Sequence, residues 1–254
     1  MKKFLLILLS LSLFSVATIS NAKSIRIGTE GAYPPWNNLN SAGDLEGAEI
    51  DFGNEACARM SVDCEWVTQD WDGIIPALLQ GKYDIIIAGM SITEERKEKV
   101  NFTNGYMTDG ARFAVMKGSG LEGLSTGGVN KVNLNNAGGK EQAAIGQLIA
   151  AMSGSTVCVQ SSTIHQNFLE KHMSGAVKVR LYQSVDDHNL DLRAGRCDAV
   201  LADVGSIIDF MESGGGVKVA FTGPTFSGGV FGDGVGGAIR KEDTDILEMW
   251  NKVI

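Results

Sequence analysis

The chain has 254 residues, enough for one large domain or two modest ones, and its 44% hydrophobic and 20% charged residues are an ordinary globular composition. A formal net charge of −8 argues against nucleic acid and anionic membrane surfaces as partners, because both repel an acidic face. Glycine (32) far outnumbers proline (4), which suits many tight strand–helix turns.

Met1-Lys2-Lys3 is a short basic start, residues 4–16 are an apolar run too short to span a bilayer, and Ser20-Asn21-Ala22 places small residues where a signal peptidase reads. Residues 1–22 therefore read as a secretory signal peptide cleaved after Ala22, giving a periplasmic protein. A buried N-terminal helix or an uncleaved anchor is the competing reading. No later run is long and apolar enough for a membrane-spanning helix.

Ser24-Ile25-Arg26-Ile27-Gly28-Thr29 alternates and stops, as a strand entering a loop. Residues 49–60 carry apolar positions at three- and four-residue steps and predict a helix. Cys64-Glu65-Trp66-Val67 returns as a strand. Residues 72–80 predict a second helix closed by Gly81. Tyr83-Asp84-Ile85-Ile86-Ile87-Ala88-Gly89 is a β-branched run suited to a central strand buried on both faces. This β-α-β-α-β order predicts an open doubly wound sheet. It recurs as strands over 156–159, 177–181 and 197–202 and helices over 163–171 and 185–194. Between the halves, 118–154 is a Gly- and Asn-rich stretch, read as an insertion with one helix over 142–152 and no evident use beyond surface.

In an oxidising compartment Cys57 and Cys64, with six residues between them, favour a local disulfide; no His lies near, and the spacing is wrong for zinc. Cys158 and Cys197 either pair or stay as buried thiols.

Open α/β sheets bind ligands at the carboxyl ends of their strands. Glu30, Tyr33 and Trp36 follow the first strand, Trp71 the second, and Gly89-Met90-Ser91-Ile92-Thr93-Glu94-Glu95-Arg96 the third; Ser161-Ser162-Thr163 and Asp203 follow strands of the later half. Each alone has a plain structural use. Ser91 or Thr93 can cap a helix, Arg96 can pair with a neighbouring Glu, and Tyr33 and Trp71 can be core. Their joint placement at strand ends is what marks them.

Gly28-Thr29-Glu30-Gly31-Ala32-Tyr33-Pro34-Pro35-Trp36, Gly47-Ala48-Glu49-Ile50-Asp51-Phe52-Gly53-Asn54-Glu55, Trp71-Asp72-Gly73-Ile74-Ile75-Pro76-Ala77-Leu78, Met90-Ser91-Ile92-Thr93-Glu94-Glu95-Arg96 and Ala194-Gly195-Arg196-Cys197-Asp198-Ala199, in that order, resemble the family 3 periplasmic amino-acid-binding proteins. The likeness is strongest to the lysine/arginine/ornithine, histidine and opine binders of ABC importers, whose basic-amino-acid members have a disulfide matching Cys57 and Cys64. It implies the type II periplasmic-binding-protein fold, α/β, with two open doubly wound sheets joined by a two-segment hinge. Lobe 1 would take 24–108 and 232–254, and lobe 2 would take 109–231.

The same resemblance assigns roles. Arg96 would pair bidentately with the ligand α-carboxylate. Ser91 and backbone N–H groups near Thr163 would support it, and Asp203 would hold the α-ammonium. Tyr33 and Trp71 would sandwich the side chain, with Glu30 at its far end. Ala88 and Gly89 stand where relatives carry small or hydroxyl residues. Ile164 and His165 stand where polar residues are common, and nothing follows from Glu49. The expected protein is a monomer that binds a cationic amino acid or derivative (arginine, ornithine, lysine or an opine) and delivers it to an ABC transporter permease for transport, without enzyme activity, cofactor or metal.

The competing class is a periplasmic cyclohexadienyl dehydratase-like enzyme on the same scaffold, with Glu30 as its acid–base group. A sensor input module ranks below both. The final stretch 242–254 repeats apolar residues at helical steps but has no stop signal. The sequence is therefore expected to be a fragment, lacking roughly 20–30 residues, a helix continuation of ordinary length plus a closing segment.

Overall fold

The structure is a computed structural model that describes residues 24–213 and 218–254. The signal peptide expected over 1–22 lies outside the described residues.

β1 (Ser24–Thr29) buries Ile25 and Ile27 completely. A three-stranded antiparallel ribbon follows, β2 (Ala32–Tyr33), β3 (Asn37–Leu39) and β4 (Leu45–Glu46). It feeds α1 (Ala48–Met60), which turns Ile50, Ala56 and Cys57 inward. The Cys57–Cys64 disulfide ties α1 to β5 (Asp63–Thr68), which runs parallel to β1. The helix expected over 72–80 begins instead as a 3-10 turn (Trp71–Gly73) and becomes α2 (Ile74–Leu79). Pro76 sits in its first turn, where no N–H partner is needed. β6 (Ile85–Ile86) pairs over a shorter span than the run 83–89 suggested, but Ile85, Ile86 and Ile87 are all fully buried. α3 (Glu94–Lys97) is a single turn capped by the Thr93 side chain, and β7 (Asn101–Met107) ends this half.

The chain then crosses to β8 (Ala111–Met116), β9 (Lys131–Asn133) and α4 (Gly139–Ala151). β10 (Thr156–Gln160), α5 (Ile164–His172), β11 (Lys178–Tyr182), α6 (Val185–Arg193) and β12 (Ala199–Asp203) form consecutive parallel units, with Thr163 and Ser184 capping the helices. α7 (Val204–Ser213) and β13 (Val219–Ser227) follow. The chain returns through 228–234 to β14 (Val235–Ile239) and α8 (Thr244–Asn251).

Two sheets result, ordered β5-β1-β6-β14-β7 and β11-β10-β12-β8-β13-β9. Both are mixed rather than purely doubly wound, because the strands at each crossing, β7, β8, β13 and β14, pair antiparallel. Each sheet has its own core. Trp250 and Ile246 of α8 pack with Ile25, Ile27, Ile85 and Ile87, while Phe113, Phe168, Phe226 and Leu201 centre the other.

The stretch 118–154 differs from its reading as an insertion. β9 extends the second sheet beside β13, and Val132, Ile145, Leu148 and Met152 are core residues there. Cys158 and Cys197 are bonded to each other, a pairing the sequence left open, because β10 and β12 are adjacent.

Candidate ligand-binding cavity

The ends of β1, β5, β6, β10 and β12 converge on one cavity at the seam between the two sheets. All nine residues singled out for ligand contact, Glu30, Tyr33, Trp71, Ala88, Gly89, Ser91, Arg96, Thr163 and Asp203, line it.

Local backbone chemistry places them. Gly89 has φ +60°, and a Cβ there would stand 2.8 Å from Tyr33 Cε1, so glycine is what admits the Tyr33 ring. The Gly89 N–H donates to Glu49 Oε1 at 2.7 Å. The Glu49 carboxylate also accepts from Asn37 Nδ2 at 2.7 Å and from the Tyr106 hydroxyl. Glu49, from which the sequence yielded nothing, is thus a buried clamp that positions the loop after β6. Burial pushes its pKa up, against the lowering by these three donors. The Thr163 hydroxyl donates to the Gln160 carbonyl (2.8 Å) and accepts from Gln166 N (3.3 Å), capping α5 at the cavity edge.

The cavity has opposite poles. Arg96 donates from Nη1 to the Ser91 carbonyl at 3.0 Å, not to a carboxylate, and its guanidinium carbon lies 5.2 Å from the centroid of Trp71. Desolvation lowers its pKa to about 10, with Glu95 and Asp203 opposing, so it remains a cation at neutral pH. Glu30, buried, accepts from Gln160 Nε2 at 2.6 Å. Desolvation raises it to about 7, the Gln160 bond opposes this, and repulsion from Asp70, Asp72 and Asp186 adds to it. Asp203 accepts from the Tyr33 hydroxyl and lies 3.3 Å from His165 Nε2. Burial alone would raise Asp203, but His165, Tyr33 and Arg96 outweigh it and hold the carboxyl below its usual value.

Contacts join the two sides of the seam. Besides Gln160–Glu30 and Tyr33–Asp203, Trp71 Nε1 donates to the Ser162 carbonyl (3.0 Å) and Ser161 Oγ to Asp72 Oδ1 (2.9 Å). The sequence reading missed Gln160, Val185, His188, Leu201 and Ala202, which also line the cavity with Ile164 and His165. Gln160 directly follows the strand expected over 156–159 and could have been found there; His188, inside a predicted helix, gives no comparable signal.

A two-sheet body with its polar cavity at a seam, crossed by two chain segments, defines the class of two-lobed ligand-trapping proteins. The chain matches the model of bacterial extracellular solute-binding proteins, family 3, over residues 25–254, and it belongs to that family. It is 40% identical to an octopine-binding periplasmic protein of Rhizobium meliloti over 234 residues, covering 91% of this chain and 79% of the relative. It is 38% identical to an L-arginine-binding protein of Pseudomonas aeruginosa, covering 100% and 90% respectively. Among solved structures, a periplasmic His/Glu/Gln/Arg/opine family-binding protein from Silicibacter pomeroyi in complex with lysine is 33% identical with a TM-score of 0.70, covering 90% of this chain and 88% of that one.

Proposed function

We propose that this protein captures an amino acid with a cationic side chain, arginine, ornithine, lysine or an arginine-derived opine, by closure of two lobes, and hands it to an ABC transporter permease. The observation that carries this is the pair of poles in one cavity: a desolvated Arg96 guanidinium bonded only to a carbonyl, and a buried Glu30 carboxylate held by an amide. Arg96, Ser91 and the N–H groups at Thr163 take the α-carboxylate, and Asp203 the α-ammonium. Tyr33 and Trp71 flank the side chain, whose cationic end meets Glu30 through ion pairing and cation–π contact. Ala88 and Gly89 leave room beside it. The relatives that bind arginine, octopine or lysine support the same reading.

The lobes are 24–108 with 232–254, and 109–231, hinged at the two crossings. The protein is exported, cleaved after Ala22, and acts as a monomer without catalysis. A thermal-shift screen over the common amino acids and opines tests the reading. Melting temperature should rise with arginine, ornithine, lysine or an arginine-derived opine. Stabilisation by glutamine or glutamate alone would contradict the cationic specificity, and turnover of prephenate or arogenate would replace binding with catalysis.

A further inference from the structure

One contact across the seam lies outside the cavity. Tyr33 and Trp36 stand on one turn, closed by Trp36 N donating to the Tyr33 carbonyl at 3.0 Å. Asp203 and Gly205 stand on one segment, the end of β12 and the first turn of α7. Tyr33 meets Asp203 inside the cavity; beside that bond the Trp36 ring lies against Gly205, and neither of these two lines the cavity. A Cβ at Gly205 would stand 2.5 Å from Trp36 Cζ2 and 3.3 Å from Cε2. The backbone has no need of glycine here, because Gly205 is helical and its φ is not positive. Alanine suits such a position better, so the glycine serves the approach of the ring. Trp36 Nε1 is buried and meets no acceptor among the described residues, so packing holds the ring in place. The segment beneath it is fixed. Gly205 N donates to Asp109 Oδ2 at 2.9 Å and Val204 N to the Gly110 carbonyl at 2.8 Å, both in the crossing between β7 and β8.

Resting on the reading of capture by closure of two lobes, we propose that Trp36 and Gly205 form the seat on which the lobes close, and that this seat sets affinity for every ligand of the cavity alike. Trp36 belongs to the lobe of 24–108 and Gly205 to that of 109–231, so ring and glycine part when the lobes part. The Tyr33–Asp203 bond and the Trp36–Gly205 contact join the same two segments. The depth to which the ring settles therefore fixes how near Tyr33 stands to Asp203. A methyl group at position 205 wedges these segments apart on the cavity side, and closely packed surfaces have little slack to absorb it. The open form, with ring and segment separate, is unaffected. Asp109 Oδ2 also crowds that methyl, at 2.9 Å from the same Cβ position, but Asp109 lies in the lobe of Gly205 and stays beside it in both forms.

Calorimetry with L-arginine, L-ornithine and L-lysine tests this on the wild type, Gly205→Ala, Trp36→Leu and the double variant, with small-angle scattering and unfolding of each in parallel. Gly205→Ala should weaken every ligand that the wild type binds by one common factor, about tenfold or more. Its ligand-induced compaction should shrink, while the unfolding midpoint of the free protein stays level or rises. In the Trp36→Leu background the same substitution should move affinity less than about threefold, because the shorter side chain leaves room for the methyl. Wild-type affinity in Gly205→Ala would overturn the seat. So would a loss that persists in the double variant, which would trace it to Asp109, or a loss confined to one ligand, which would place Gly205 against that ligand's side chain. A fall in stability of the free Gly205→Ala protein would also overturn it, by showing ring and glycine in contact before closure. A wild type that binds none of the three, or binds without compaction, would overturn the reading beneath it instead.

Discussion

Glu30 is an acid kept close to its titration point at neutral pH. With its pKa raised to about 7 chiefly by burial, it is part protonated in the free cavity, and a cation beside it favours the ionised form. Binding of arginine should therefore release protons, and affinity should fall as pH drops from about 8 to about 6, by up to about tenfold per unit below about 7. Calorimetric titrations across that range check it, with Glu30→Gln expected to flatten the slope and weaken binding; a flat profile in the wild type would place Glu30 away from the ligand. At this scale the sequence was informative wherever a residue follows a strand, because parallel strands gather their carboxyl ends, and so Glu30, Trp71, Ser91 and Asp203 meet. It was silent where a polar residue lies within a helix. His188 in α6 and Glu49 in α1 occupy helical positions whose polar side chains read as solvated, yet both are buried, one in the cavity wall and one behind Gly89. Their burial depends on which elements face each other, and that is settled only by the whole sheet order.

Among the elements, strands with strong apolar runs were legible and short or glycine-rich ones were not. β9 is a three-residue strand between turns and gave no signal, whereas the helix expected over 142–152 is present as α4; what the sequence did not reveal is that both complete the second core. The run 83–89 is continuous in sequence but bridges its neighbours over a shorter span, since chain connections, not hydrophobicity, fix where pairing stops. The cysteines show the same division. Cys57 and Cys64 are close in sequence and were readable, whereas Cys158 and Cys197, 39 apart, meet only because β12 pairs with β10. Loop-closure entropy makes the longer bridge the more stabilising one. Removing Cys158–Cys197 by paired Cys→Ala substitution should cost about 4 kcal/mol, and removing Cys57–Cys64 about 2 kcal/mol. Denaturant unfolding of the two double variants measures this, and a reversed order would show that local packing around the sulfurs, not loop length, dominates.

For the whole molecule, three joins across the seam are polar: Gln160 to Glu30, Trp71 to Ser162, Ser161 to Asp72. Such contacts exchange with water at small net cost, which suits surfaces that must separate and meet again. The crossings, by contrast, are tied down. At 228–234, Asp233 N donates to the Ile92 carbonyl (3.0 Å) and Ile92 N to that of Gly234 (2.8 Å), linking the return segment to the loop that carries Ser91. Gly232 has φ +76°, and a Cβ there would lie 2.3 Å from the Ile92 oxygen. Two backbone hydrogen bonds therefore join the return segment to the loop that carries Ser91. The measurement that bears most directly on the site is calorimetric titration of L-arginine into the wild type, Arg96→Ala and Asp203→Asn, with unfolding of each followed in parallel. Saturable one-to-one binding is expected in the wild type, with a loss of roughly 2–5 kcal/mol in each variant and little change in fold stability. Arginine binding of wild-type strength in both variants would contradict the assignment of the two poles.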